Sequence, residues 1–190
     1  MAAIRPVEPV VRVCAVFSRY PDARRWAIDR LSERWGPIAT ETVSRPFEAG
    51  GFYERTMGDS LDKCWVAFAR VVPPDRLADW KLETNALEIE YAKSHDHVEP
   101  RPLNLDPGYV TQAKLVLATT KDRDHRVYLR DGIFAEVTLS YIGKRWVDHR
   151  WTYPDYRDDE ARDFVHRCRQ QLRDHLRTSG GRRTVRQPSD

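Results

Sequence analysis

The sequence contains few cysteines, few lysines and no long apolar run. Its three cysteines, Cys14, Cys64 and Cys168, are far apart in 190 residues. Their odd number and apolar surroundings are not those of a disulfide framework, so buried free thiols are expected. No apolar run approaches the roughly 18 residues that suggest a membrane-spanning helix. Residues 1–9 lack the apolar stretch of a signal peptide, and together these features predict a cytoplasmic protein.

Several motifs with a defined chemistry are also missing. The chain contains no G-x-x-x-x-G-K-[ST] loop and no G-x-G-x-x-G after a predicted strand, so a P-loop or dinucleotide-binding fold has no support. Serine nucleophile elbows, paired C-x-x-C motifs and H-E-x-x-H are absent as well. We therefore predict no cofactor and no metal site.

Lysine is scarce because the basic residues are mostly arginine. The chain has 26 Arg and 6 Lys against 29 Asp+Glu, which gives a formal net charge of +3. Residues 161–190 hold eight Arg and three Asp, a net charge of +5, so residues 1–160 carry −2. This asymmetry has to be explained either by a nucleic-acid partner or by local helix electrostatics.

The hydrophobic fraction of 41% and the aromatic fraction of 11% are those of a globular protein. The length suits one domain. We predict a single domain over residues 1–177 and a disordered basic tail over residues 178–190, which contain two glycines, three arginines and a proline.

Apolar periodicity in the first half predicts the element order β-α-β-β-α-β. The strands are predicted at residues 10–17, 38–45, 64–72 and 103–105, and the helices at residues 22–35, with Asp22 as N-cap, and 75–93. A turn at Asp106-Pro107-Gly108 would close the last strand. This order predicts an α+β fold with a ferredoxin-like split βαβ core, both helices lying on one face of an antiparallel sheet. Another α+β arrangement with the same order is the alternative.

The second half predicts a C-terminal hairpin or meander and a final amphipathic helix. Residues 109–118 favour a short helix, with a strand at residues 115–119 as the alternative. Two β-rich runs at residues 125–130 and 133–142 are joined by Asp131-Gly132, which predicts a hairpin with a type I′ turn. A strand at residues 146–153 and an amphipathic helix at residues 158–176 follow.

The hairpin register predicts that His125 and Glu136 lie near each other. With a two-residue loop, His125 opposes Thr138, and Glu136 is a diagonal neighbour on the same face, about 7–8 Å away. A histidine oriented by a carboxylate is a usable general base, so His125 and Glu136 are the predicted catalytic pair. The alternative is a polar hairpin face with a modest ion pair.

Hydroxyl, amide and basic side chains around this hairpin suit an anion such as phosphate. The alternative is an ordinary polar loop, since such residues are common there. The predicted ligand-binding residues are Asn104, Asp106, Thr119, Thr120, Lys121 and Arg126.

Two further features have competing explanations. His95-Asp96-His97 has the H-x-H spacing of some metal sites, but its position after a helix favours a helix C-terminus, where histidine suits the dipole. The basic C-terminal helix presents four arginines and His166 at steps of three or four residues that could follow an RNA backbone, and residues 151–156 add aromatic side chains for stacking. Acidic residues first and basic residues last also stabilise a helix, so a solvated face is the alternative. The arginines are Arg162, Arg169, Arg173 and Arg177.

Residues 101–157 resemble an uncharacterised bacterial domain family of unknown function, the one numbered 4416. The matching phrases are LNLDPGY at residues 103–109, KLVLATTK at residues 114–121, HRVYL at residues 125–129, GIFAEVTL at residues 132–139 and WTYPDY at residues 151–156. The resemblance implies that the family domain covers nearly the whole chain. It implies no particular activity. Some members carry a label that suggests GTP binding, and the phosphate loop for it is missing here.

The leading hypothesis is a protein that binds, or both binds and hydrolyses, a small anionic ligand such as a nucleotide or phosphoester. If it is an enzyme, His125 carries the proton, Glu136 orients it, and Lys121 and Arg126 hold the anion. A non-catalytic RNA-binding or assembly module is the alternative, and a structural or protein-partner role is the third. Oligomeric state is left open.

Overall fold

The computed structural model describes residues 6–47, 51 and 53–179, which form an α+β fold of nine strands and four helices. The strands are β1 (Val10–Ser18), β2 (Ile38–Glu41), β3 (Arg45–Pro46), β4 (Asp62–Val72), β5 (Asn104–Val110), β6 (Lys114–Thr119), β7 (Val127–Arg130), β8 (Ile133–Ile142) and β9 (Arg145–Asp148). The helices are α1 (Pro21–Trp35), α2 (Glu54–Met57), α3 (Leu77–Ser94) and α4 (Asp159–Thr178), with 3-10 turns at Pro74–Arg76 and Pro154–Arg157.

All nine strands belong to one antiparallel sheet in the order β2-β4-β1-β5-β6-β8-β7, with β3 paired to β4 and β9 to β8. The central strand β1 is buried along its whole length. Its Cys14 and Val16 pack with α1 and α3, whereas Val13 and Ala15 pack with α4 on the opposite face. Helices on both faces explain why this strand is apolar in both registers.

The helices are amphipathic where the sequence indicates, but the start of α1 differs from expectation. Asp22 is not its N-cap, because the helix begins at Pro21 and Tyr20 is the extended N-cap residue. Proline is favoured at the first helical position, since its missing N–H has no partner there in any case. Asp22 lies in the first turn, where its charge suits the positive end of the helix dipole.

The predicted turn at Asp106-Pro107-Gly108 is wrong, because all three residues lie inside β5. Gly108 is needed there for close approach: a Cβ built on it would lie 2.3 Å from the carbonyl oxygen of Val116 in β6. The favoured short helix at residues 109–118 is also wrong, and the alternative strand is present as β6. The chain reverses through Thr111, whose hydroxyl accepts hydrogen bonds from the backbone N–H groups of Ala113 and Lys114.

The β7–β8 hairpin is confirmed, with a changed register. Asp131 and Gly132 have φ values of 51° and 74°, as a type I′ turn requires. Arg130 pairs with Ile133 beside the two-residue loop, but a bulge then shifts the pairing. Val127 therefore faces Ala135 and not Glu136, which would be its partner in the unshifted register. The strand begins at Val127, which leaves His125 in the preceding loop.

The C-terminal part follows the expected order with shorter strands. The strand predicted to reach residue 153 ends at Asp148, and residues 149–157 form a loop with a 3-10 turn. The helix α4 buries Ala161, Phe164, Val165, Cys168 and Leu172. The predicted tail lies outside the described residues, apart from Thr178, which ends α4, and Ser179.

The predictions on cysteine and membrane helices can be compared directly with the structure. Cys14, Cys64 and Cys168 are buried free thiols, as expected. Burial raises the pKa of Cys14 well above its usual value, which makes an inert thiol. Of the helices in the described ranges, none is long and apolar enough to cross a membrane.

Candidate functional site

A cavity of about 590 Å³ opens where β5 and β6 separate. Within the described residues, β5 and β6 pair from Val110↔Leu115 to Gly108↔Leu117. Beyond that point β5 remains paired to β1, and Ala118 and Thr119 of β6 remain paired to β8. The next residue of β5, Pro107, has no N–H to donate to a neighbouring strand. The sheet therefore divides at a fixed position, and polar side chains from both strands line the gap.

One wall of the cavity is built around the buried ammonium group of Lys81 on α3. Its Nζ donates to the carbonyl oxygen of Leu105 at 2.7 Å and to Oδ1 of Asp106 at 3.3 Å, and Glu88 lies 3.8 Å away. Burial alone would raise the pKa of Asp106, but the positive charges of Lys81 and Lys63 outweigh it and hold this pKa below its usual value. Asp106 is therefore an ionised acceptor, and its side chain is 30% exposed.

Glu88 has the opposite balance, although it lies near the same lysine. Burial raises its pKa, and the nearby Lys81 and a hydrogen bond from the backbone N–H of Leu105 offset only part of this rise. Its second oxygen lies 3.5 Å from the Arg101 guanidinium. Two carboxylates next to one lysine thus differ in their ease of ionisation, because the charge of a second lysine, Lys63, also acts on Asp106.

Asn104 presents a hydrogen-bond donor to the cavity. It is 4% exposed, and its Oδ1 accepts a hydrogen bond from Nη2 of Arg101 at 2.6 Å. That contact fixes the orientation of the amide, since a flipped amide would place its NH₂ group against the guanidinium. The Nδ2 atom lies near Asp106 and helps to lower the pKa of that carboxyl, yet it makes no hydrogen bond of normal geometry.

The opposite wall is basic. Lys121 follows β6, and its pKa is lowered, first by partial burial and then by the positive charges of Arg101, Arg126 and Arg123, against the opposing effect of Asp106. Arg126 donates from Nε to Glu136 at 2.7 Å and from Nη1 to the carbonyl oxygen of Lys121 at 2.8 Å. A lysine whose ionisation is opposed by neighbouring cations favours an added anion beside it.

Residues 153–156 close the third side of the cavity and are anchored by Lys63. This side chain is 5% exposed, and its Nζ lies 2.5 Å from Asp155. The rings of Phe47 and Tyr156 flank the ammonium group at 4.7 and 4.5 Å from their centroids. A cation that is paired and enclosed by aromatic faces is well stabilised, so Lys63 fixes this loop to β4.

His125 lies outside the cavity wall. Its ring stacks on Trp151 at 4.9 Å with an interplanar angle of 9°, and Trp151 stacks on His149 on its other side at the same distance. Nε2 of His125 lies 3.4 Å from Glu136, and Nδ1 lies 3.1 Å from Asp124. The predicted closeness of His125 and Glu136 is present, but a folded loop produces it and not strand pairing.

Seven of the eight predicted site residues line the cavity, and His125 does not. These seven come from three separate segments, which the separation of β5 and β6 brings together. The sequence reasoning missed Lys63, Lys81, Glu88 and Arg101, which also line the cavity. Lys81 stands on the buried face of α3, and a lysine at an apolar position of an amphipathic helix was the one signal that could have identified it. The seven predicted residues are Asn104, Asp106, Thr119, Thr120, Lys121, Arg126 and Glu136.

The arginines of α4 are mostly engaged with the protein itself. Arg162 pairs with Asp148 at 3.1 Å, and Arg177 pairs with Asp174 at 3.1 Å. Arg169 donates to the carbonyl oxygen of Gln112 at 2.7 Å and lies over the ring of Tyr141 at 3.7 Å. Because of these contacts, fewer arginine side chains of α4 are available to bind an RNA backbone. The fourth arginine, Arg173, is partly buried.

His95 and His97 belong to the end of α3, as expected. His95 is the C-cap residue, and Nε2 of His97 lies 3.2 Å from the hydroxyl of Tyr91. Both rings stack on Tyr91, with centroids 4.1 and 5.3 Å from it. Across the described ranges, no group of three or more His, Cys, Asp or Glu side chains is arranged to hold a metal ion.

Comparison with known proteins identifies the family. No curated protein and no solved structure matches the chain. A family model described as Domain of unknown function (DUF4416) matches residues 8–172, which include every cavity residue discussed above. Because this match spans nearly the whole chain, the protein belongs to the DUF4416 family.

Proposed function

We propose that this protein binds a small anionic ligand of the nucleotide or phosphoester class in the cavity between β5 and β6. One observation carries the proposal: Arg101, Lys121 and Arg126 all line one cavity that also presents a hydrogen-bond donor. Their mutual repulsion contributes to the lowered pKa of Lys121. A bound anion reduces the repulsion between these cations, and this reduction favours anion binding beside Lys121.

The size of the cavity supports a small molecule. Its volume of about 590 Å³ falls within the roughly 300–1,000 Å³ typical of ligand pockets. Thr119 and Thr120 supply hydroxyl groups beside Lys121, and Tyr53 places its ring 5.8 Å from the lysine Nζ. A mixture of cations, hydroxyls and an aromatic face suits a phosphorylated organic molecule better than an inorganic ion alone.

Binding is better supported than hydrolysis. The proton carrier we expected, His125, reaches the cavity only through Glu136, and Glu136 already accepts a hydrogen bond from Arg126. A general base has to approach the proton that it removes to within hydrogen-bond distance, directly or through one water. We therefore assign His125 and Glu136 the role of orienting Arg126, and leave the catalytic role as the less favoured hypothesis. RNA binding stays behind both, because three of the four arginines that it needs contact the protein.

We also infer a ferredoxin-like arrangement for the first half of the domain and a reducing compartment for the protein. The strand order β2-β4-β1-β5 and the packing of α1 and α3 on one face support the first inference. Three buried free thiols support the second, and the cytoplasm is such a compartment. Neither inference bears on which ligand is bound.

The test is calorimetric titration of the purified protein with nucleoside phosphates, sugar phosphates and inorganic phosphate at low salt. Lys121→Gln removes the cation, and we expect at least one phosphorylated compound to bind about tenfold more weakly to it, since a charge-assisted hydrogen bond contributes about 1.5–3 kcal/mol. Lys114→Gln is the matched control, because Lys114 lies at the other end of β6 on the exposed surface. Failure of every compound to bind, or equal affinity for both variants, would refute the proposal.

A further inference from the structure

Asn104 and Asp106 lie two residues apart on β5 and present a donor and an acceptor to the same cavity. Because side chains alternate along a strand, residues two apart share a face. The Nδ2 of Asn104 is buried and makes no hydrogen bond of normal geometry, while its Oδ1 is occupied by Arg101. Asp106 keeps 30% of its side chain exposed although Lys81 pairs with it. One donor and one partly used acceptor therefore face the cavity side by side.

A hydroxyl group matches this pair, because it accepts one hydrogen bond and donates another. The Nδ2 of Asn104 can donate to a hydroxyl oxygen, and the carboxylate of Asp106 can accept the hydroxyl proton. A carbonyl or phosphate oxygen would satisfy Asn104 but would meet the negative charge of Asp106. A ligand ammonium would satisfy Asp106 but would meet the amide NH₂ of Asn104. A hydroxyl leaves neither side chain opposed, and it does so with a single atom that both accepts and donates.

The charge of the cavity limits how negative the ligand can be. Lys63, Lys81 and Arg126 lie 2.5, 3.3 and 2.7 Å from the carboxylate oxygens of Asp155, Asp106 and Glu136. Their charges are thus largely balanced inside the wall. Lys121 and Arg101 also line the cavity, their side chains are more exposed, and Arg101 lies 3.5 Å from Glu88. Five cations against four carboxylates leave the wall with one net positive charge, which suits one phosphomonoester of about −1.5 to −2 charge better than a polyphosphate. Further phosphates would meet the four carboxylates and not additional cations.

We infer that the ligand is a hydroxylated phosphomonoester, with its phosphate between Lys121 and Arg101 and a hydroxyl between Asn104 and Asp106. This inference rests on the proposed function and narrows it. A free sugar or polyol phosphate and a nucleoside monophosphate share this chemistry, since both carry hydroxyls on a phosphorylated skeleton. Inorganic polyphosphates and nucleoside triphosphates exceed the charge that the cavity balances.

The experiment compares two ligands that differ only in hydroxyl groups. Glycerol 3-phosphate and propyl phosphate are titrated into the wild-type protein at one salt concentration, with tripolyphosphate as the polyanion. We expect glycerol 3-phosphate to bind about tenfold or more tightly than propyl phosphate, since without the hydroxyl the buried Asn104 amide stays unpaired. Tripolyphosphate should bind more weakly than glycerol 3-phosphate. Equal affinity for the first two, or a preference for tripolyphosphate, overturns the inference.

Asp106→Asn locates the effect at the proposed hydroxyl site. In this variant the preference for glycerol 3-phosphate over propyl phosphate should shrink towards equality, while propyl phosphate itself binds at least as well because a repelling carboxylate has gone. A preference that persists unchanged places the hydroxyl elsewhere and overturns the assignment. Since the wild-type comparison stands alone, the inference can be tested even if the variant folds poorly.

Two further comparisons identify the type of ligand and show whether the proposed function or only this inference has failed. Ribose 5-phosphate and adenosine monophosphate distinguish a sugar phosphate from a nucleotide, because only the second carries a base. If none of these anions binds, or if Lys121→Gln binds them as wild type does, the proposed function itself fails. If phosphates bind through Lys121 without regard to hydroxyls, the proposed function survives and only this inference fails.

Discussion

The two ends of the β5–β6 pair differ in how closely the two strands approach each other. At one end, Gly108 allows β5 to approach β6 so closely that a single added carbon would collide with the Val116 carbonyl oxygen. Leu115 and Leu117 are buried there beneath α4. At the other end the strands separate, and Asn104 and Asp106 face a polar cavity. A sheet can therefore hold a cavity within its plane when a tight, apolar pairing next to it fixes the geometry.

The open end has to be stabilised by means other than a strand ladder. Lys81 connects α3 to β5, and Lys63 connects β4 to the loop at residues 149–157. Both are buried lysines paired with carboxylates. Removing one partner of such a pair destabilises a protein by more than the intact pair stabilises it. The closed end depends on close packing, whereas the open end depends on paired charges. Substitutions at the closed end should therefore destabilise the protein by overpacking, and substitutions at the open end by leaving a buried charge unpaired.

The largest effect is expected from Lys63→Met at the open end. The substitution leaves Asp155, whose side chain is 13% exposed, without its cation, and breaking a buried pair from one side typically costs about 3–5 kcal/mol. Urea unfolding measures the loss. The matched control is Lys63→Met combined with Asp155→Asn, which should recover part of it because no uncompensated charge remains. A loss below about 1 kcal/mol for the single variant would show that the pair does not anchor the loop.

A smaller loss is expected from Gly108→Ala at the closed end. Its methyl group would lie 2.3 Å from the Val116 oxygen and 2.7 Å from a methyl of Leu117, so the strands must move apart. Overpacking of this kind costs about 1–3 kcal/mol. Gly143→Asn is the control, because Gly143 has φ +57° and open space around it, and asparagine tolerates that conformation. If both variants unfold at the same urea concentration as wild type, close approach at Gly108 is not required.

The smallest effect is expected in the pH dependence of the unfolding free energy, which should differ between variants of Asp106 and Glu88, the two acids near Lys81. The pKa of Asp106 is lowered in the fold, so its contribution is present above its unfolded pKa and is lost as pH falls through the folded value. The pKa of Glu88 is raised, so wild-type stability declines as pH rises through that range. Asp106→Asn should remove part of the acid-side loss, and Glu88→Gln should remove part of the decline. Unfolding free energies measured from pH 3 to 7 test this, and identical profiles for the two variants would contradict it.

Several elements of this fold could be predicted from local sequence. Asp131-Gly132 between two β-rich runs predicts a hairpin because both residues tolerate positive φ, and the structure confirms it. The apolar stripe of α4 and the doubly apolar β1 were predictable for the same reason: their periodicity depends on neighbours a few residues away. The bulge after Tyr128 was not, since nothing in the hairpin sequence marks where the pairing shifts.

The composition of the candidate site was partly predictable, and its assembly was not. Polar residues in and after predicted strands identified seven of the 21 residues that line the cavity, because such residues are uncommon in the sheet interior. Asp106-Pro107-Gly108 shows the limit: its composition is that of a turn, yet it forms the strand that borders the cavity. Whether glycine permits a turn or a close contact depends on which strand lies beside it.

By itself, the sequence determined the α+β class, the buried thiols, the β7–β8 hairpin and the family to which the chain belongs. These follow from local periodicity, turn chemistry and shared motifs. Only the tertiary structure decided that Asn104, Lys121 and Glu136, from three different strands or strand ends, face one cavity, and that His125 lies outside it. The physical reason is that strand separation depends on contacts between residues distant in the chain, and the local sequence marks it only through Pro107, which has no N–H to donate.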